Sequence, residues 1–215
     1  MEAVTGKVVP YITARQGEEA DSHFSLCSRF GKDGRQQLAY IDEGPDDRDP
    51  RGVLWARLSH SIHPDGLPAG SPKWRMVHPA RQRECMLLLR CQVCVQPLKH
   101  PNGVLFLETA AQAAPDGPVQ TAQPPVCLQH ARMAAERCPH LARKGHVALM
   151  ANRYPLYGVI GTPYQYGSHG LTALAFDDRP IPYGSPLLRW LLASQLVREL
   201  RAYQVVRLDD LVPVA

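Results

Sequence analysis

Cys91-Gln-Val-Cys94 and Cys127-Leu-Gln-His130 are the two stretches on which the reading of this chain turns. Each places two soft or borderline ligands three positions apart, and together they offer the four donors that a tetrahedral Zn2+ takes in a structural site. The pattern between them matters as much as the count. Pro101-Asn102-Gly103 is a turn signal, residues 104–108 (VLFLE) read as a short strand, and residues 110–125 are rich in Ala, Gln and Pro and read as a loop. Pro124-Pro125 keeps the approach extended. Cys127, Ala131, Ala134 and Cys138 then share one helical face, so residues 126–138 are predicted to be a helix that Pro139 ends. Cys127 and His130 fall in its first turn. Free N–H groups there favour thiolate, and side chains three apart can meet one ion.

A C-x-x-C turn, a strand, a loop and a helix opening on C-x-x-H resembles a treble-clef zinc finger. In that arrangement a knuckle, a β-hairpin and a helix hold one ion. The resemblance covers residues 91–141 and implies a structural zinc with Cys91, Cys94, Cys127 and His130 as ligands. Cys138 and His140 compete for the fourth place. The stretch from Pro124-Pro-Val-Cys127 to Cys138-Pro-His-Leu141 is also similar to a pattern in uncharacterised actinobacterial proteins, which implies no activity. Some treble clefs are HNH-type nuclease sites, with a general-base His near the end of the first hairpin strand. Val104-Leu-Phe-Leu-Glu108-Thr109 holds no His and His100 precedes it, which argues against that chemistry.

Outside the finger the pattern is that of an α+β protein with short, mostly antiparallel strands. Strands are predicted over residues 4–14, 37–42, 52–58, 146–150, 157–161, 171–176 and 204–208. Pro79 suits the first turn of a helix over residues 79–90. Leu187, Leu188, Leu191, Leu192, Leu196 and Leu200 form an apolar stripe that predicts a C-terminal amphipathic helix over residues 186–203. Residues 60–72, rich in Pro, Gly and Ser, suggest a boundary between a β-rich region 1–72 and a zinc-finger-containing α+β region 73–215.

The 215 residues carry a formal net charge of +4, which permits a nucleic-acid partner without requiring one. The first residues lack the apolar stretch of a secretory signal, and the apolar segments elsewhere are too short for a bilayer. With six cysteines read as reduced, metal-binding thiols, the expectation is a cytoplasmic protein with no membrane partner. Arg81, Arg83, Arg90, Arg132, Arg137, Arg143 and Lys144 gather around the finger and suit phosphates. The leading expectation is therefore a zinc-stabilised binding protein whose partner is nucleic acid or protein. The alternative is an enzyme with a structural zinc whose active residues come from the β-rich flanks: His60, His63, Tyr164 or His169. His60-Ser-Ile-His63 as a second metal site and His23 with Cys27 as a nucleophile pair are further candidates.

Overall fold

Twenty prolines and 16 glycines cut the chain into short elements, and most of these are strands. The computed structural model describes residues 8–98, 102–111, 117–175 and 177–212. In chain order the strands are β1 (Thr13–Arg15), β2 (Leu26–Phe30), β3 (Gln36–Tyr40), β4 (Leu54–Trp55), β5 (Pro72–Val77), β6 (Val104–Thr109), β7 (Val119–Thr121), β8 (His146–Arg153), β9 (Leu156–Gly167), β10 (Gly170–Ala173), β11 (Ile181–Pro182), β12 (Leu191–Leu200) and β13 (Ala202–Val206). The helices are α1 (Pro79–Leu88), α2 (Leu128–Arg137) and α3 (Pro139–Lys144). The α+β class is borne out.

The largest sheet runs β10-β9-β12-β4, with β11 added to β9 and β7 to β12. β12 pairs antiparallel with β9 and β7 and parallel with β4. A three-stranded sheet, β13-β8-β6, carries the metal region, while β1-β5 and β2-β3 form two-stranded sheets. β1 with β5 and β4 with β12 are pairings that cross position 72. Gly161 lets β9 and β12 approach, since a Cβ there would lie 2.2 Å from the Leu192 carbonyl oxygen.

The predicted C-terminal helix is not formed. Pro186–Trp190 is a 3-10 turn, and the chain continues as β12 and β13. The reason is burial on two sides. Leu191, Ala193 and Leu196 enter one core with Val53, Trp55, Met86 and Val159. Leu192 packs on Leu26, Leu38, Tyr40 and Leu54, and Leu200 packs among Val104, Phe106 and Leu149. A strand buried on both faces is apolar nearly throughout and loses the alternation that marks a half-exposed one.

α1 starts at Pro79 as predicted and ends where Leu89 turns left-handed, at φ 51°. Its last carbonyls are met by a buried side chain. The Arg198 guanidinium donates to the Met86 oxygen twice, at 2.9 and 3.0 Å, and to the Tyr154 oxygen at 2.6 Å. Part of the predicted 110–125 loop is also strand, because β7 is recruited to the far edge of β12. Residues 4–7, His100 and Phe176, which carried expectations, lie outside the described residues.

Candidate metal centre

The knuckle is built by its backbone. The Cys91 N–H donates to the Gln96 oxygen and the Val95 N–H to the Cys91 oxygen, both at 2.9 Å, which folds Cys91 and Cys94 onto one side of a tight turn. Arg90 and Pro97 bridge its base. Val95 is left-handed, at φ 64°, an uncomfortable conformation for a β-branched residue that this turn imposes.

The second half-site arrives on α2. Cys127 is its N-cap and His130 stands in its first turn. The Gln92 N–H donates to the Pro125 oxygen at 3.0 Å and the Val126 N–H to the Leu105 oxygen at 2.9 Å. The approach to α2 is therefore clamped between the knuckle and β6. On its other side the Gln92 oxygen accepts the Ile12 N–H at 3.3 Å, which ties the knuckle to the chain just before β1.

These elements bring the predicted donors together. One ligand atom from each of Cys91, Cys94, Cys127 and His130 lies within 4.8 Å of the others, an arrangement that could hold a metal ion. Nδ1 is the histidine atom that faces the sulfurs, 3.0 Å from Cys127 Sγ and 3.8 Å from Cys91 Sγ. Cys91 is fully buried and the other three are partly buried.

The electrostatics fit a cation. Cys91 is held down at about 4, first by a hydrogen bond from the Cys127 thiol, against the effect of burial, with backbone N–H groups of Cys127, Cys94 and Val93 also donating to its sulfur. Cys127 is pushed up, first by that same hydrogen bond and then by burial. Cys94 is pushed up by burial. One thiolate is thus easy to form and the next is opposed by it. A divalent ion reverses this, because it draws the remaining protons off its ligands.

One expectation about the finger changes, and the alternatives for its fourth ligand fall away. Between the half-sites no hairpin forms among the described residues: β6 pairs with β8, which follows α2 and α3, and β7 leaves for the large sheet. Cys138 and His140 are not among the clustered ligands. Cys138 caps the end of α2, Pro139 starts α3, and His140 is exposed.

The other candidates are scattered. His60 stacks on His78 with ring centroids 4.5 Å apart, and no metal-ligating group among the described residues contains His60 or His63. Tyr164 packs on the Leu38–Tyr40 cluster, and His169 lies in the turn between β9 and β10. Cys27 is a half-buried free thiol on β2, and the side chain of His23 lies outside the described part of the structure.

The expected basic patch is mostly used up internally. Arg81 pairs with Glu18 at 2.6 Å, Arg90 with Glu84 at 3.1 Å, and Arg83 lies over the Trp55 ring. Arg132 donates to the Leu208 and Leu211 oxygens at 2.8 Å. Arg137, Arg143 and Lys144 are exposed, and none of them joins an ion pair among the described residues.

Two buried groups were not signalled in the sequence. Glu108, only 1% exposed, accepts the Thr121 hydroxyl on one oxygen and leaves the other unpartnered, and burial pushes its carboxyl up to about 7. Glu18 accepts both the Arg81 guanidinium and the Arg15 backbone N–H at 2.6 Å beneath β1. No helix among the described residues is long and apolar enough to cross a membrane. No family model, curated protein or solved structure matches this chain.

Proposed function

We propose that this chain is a zinc-stabilised nucleic-acid-binding protein. Three thiolates and an imidazole are a soft donor set suited to tetrahedral Zn2+ and poorly suited to Mg2+ or Ca2+. Zn–S bonds near 2.3 Å and Zn–N bonds near 2.0 Å set tetrahedral donors about 3.5 to 3.8 Å apart. The 3.8 Å separation of His130 Nδ1 from Cys91 Sγ meets that range, and the 3.0 Å separation from Cys127 Sγ would open by about 0.5 Å around an ion. Zinc would fix the knuckle to α2 and add folding energy to a region with few wholly buried side chains.

The observation that carries the nucleic-acid reading is the short arm from the end of α2 through α3. Arg137, Arg143 and Lys144 project from it with no acidic partner among the described residues. Cations free of internal ion pairs are the ones able to displace counterions from a phosphate backbone.

The test is fluorescence anisotropy with a labelled oligonucleotide between about 50 and 200 mM salt. The expected result is affinity that falls linearly on logarithmic axes. Replacing Arg137, Arg143 and Lys144 together by Ala should reduce the slope by about 2 to 3. Absence of binding at the lowest salt, or a slope unchanged in the triple variant, contradicts the reading.

A further inference from the structure

We infer that β5 is a second nucleic-acid contact, a surface on which unpaired bases stack against Trp74 and Met76. This rests on the nucleic-acid reading above and adds a different substrate preference, for single strands.

β5 reads Pro72-Lys-Trp-Arg-Met-Val77. Strand alternation puts Trp74 and Met76 on one face, and they are 57% and 47% exposed. β1 is the strand paired with β5, and that ladder is interrupted between Thr13↔Val77 and Arg15↔Pro72. No strand among the described residues pairs with the other side of β5, so that edge is open. A large flat aromatic there is available to a planar partner.

Charge decides which partner. Arg75, between Trp74 and Met76 in sequence, is exposed and joins no ion pair among the described residues. Behind β5, Arg15 and Arg81 are both buried, and the Glu18 carboxylate is the buried acid that faces them. The Nε atoms of both arginines are buried without a partner. Lys73 Nζ is spent on the Glu18 backbone oxygen at 2.7 Å, which neutralises no charge. One buried carboxylate thus faces two buried guanidinium groups. An apolar protein surface covering Trp74 would deepen the burial of that excess charge at a cost. A single-stranded polyanion compensates it and supplies bases with exposed π-faces for Trp74. Duplex bases are already stacked on one another and gain nothing from the tryptophan. The contact Ile12 N–H to Gln92 O ties this unit to the metal knuckle, so it belongs to the same folded region.

The experiment compares wild type, Trp74→Ala and Trp74→Phe on a labelled oligothymidylate of about 15 nucleotides and on a duplex of equal length. Wild type should bind the single strand with quenching of tryptophan emission. Trp74→Ala should weaken single-strand binding by about 5- to 50-fold, leaving the salt slope and the duplex affinity unchanged. Trp74→Phe should keep affinity within about threefold, because Phe still stacks, while most of the quenching disappears because Trp55 is only 4% exposed and Trp190 packs half-buried against Leu26, Leu38, Tyr40 and Leu54. Single-strand affinity unchanged in Trp74→Ala, or quenching that persists in Trp74→Phe, overturns the inference. Duplex binding without single-strand binding overturns it too and leaves the nucleic-acid reading standing, whereas binding to neither defeats both.

Discussion

Around Cys91 most of the side chains on the knuckle and α2 stay partly exposed, whereas along β12 most of the apolar side chains are wholly buried. α2 buries only Ala131 completely, and Val93, Cys94, Cys127, Leu128, Ala134 and Leu141 stay partly open where they pack on the core beside it. In β12, by contrast, Leu191, Ala193, Leu196, Val197 and Leu200 are all 1% exposed or less. Fully burying a side chain of that size contributes about 1.5 to 3 kcal/mol, so the strand supports itself. The knuckle and α2 have no comparable reserve, and four converging donors stand where apolar side chains would otherwise be needed.

Metal removal should separate the two regions most sharply. A strong chelator is expected to raise amide exchange at Gln92, Val95 and Val126 by at least about 100-fold, while β9 and β12 amides keep their protection. Hydrogen-exchange mass spectrometry checks this. Equal loss in both regions would mean that the chain folds as one cooperative unit around the ion.

The β12 region has its own weak point. Arg198→Met should cost about 3 to 4 kcal/mol in denaturant unfolding, because it strands the Met86, Leu87 and Tyr154 carbonyls that the guanidinium serves. Metal content should not change in that variant.

Glu108 on β6 and Thr121 on β7 join the two regions. The Glu108 carboxyl is raised by burial from 4.5 to about 7, so the folded protein retains a proton that the unfolded chain has lost across that window. Its contribution is fully present below pH 4.5 and is lost as pH rises to about 7. Glu108→Gln should therefore match wild type near pH 4.5 and exceed it by up to about 3 kcal/mol above pH 7. Urea unfolding across pH 4 to 8 measures this, with parallel pH curves as the contrary outcome.

The smallest effect concerns the knuckle. Val95→Gly should stabilise the metal-bound protein by about 1 kcal/mol, since glycine adopts φ 64° without strain. A thermal melt with metal present is sufficient to detect it.

The same contrast explains what the sequence made legible. Metal ligation depends on residue type and short spacing, so Cys91, Cys94, Cys127 and His130 can be picked out without knowing the fold. Pro79 marked a helix start and Pro139 a helix end for an equally local reason, the fixed φ and missing N–H of proline, although the short helix that Pro139 itself opens was not read. β12 was misread because its leucines satisfy a helical stripe and a two-sided strand alike, and the choice is made by β9 and β4, distant in sequence. The hairpin expected between the half-sites failed likewise, since the partner of β6 lies beyond both helices. Glu108 and Arg198 resemble surface residues in the sequence. Only their long-range partners, Thr121 and the carbonyls of Met86 and Tyr154, make their burial tolerable.

Elemental analysis of the purified protein and three variants tests the central claim most directly. The account predicts one zinc per chain in wild type and in Cys27→Ser, and loss of the metal in Cys91→Ser and Cys127→Ser. No zinc in wild type, or equal zinc in all three variants, would contradict it.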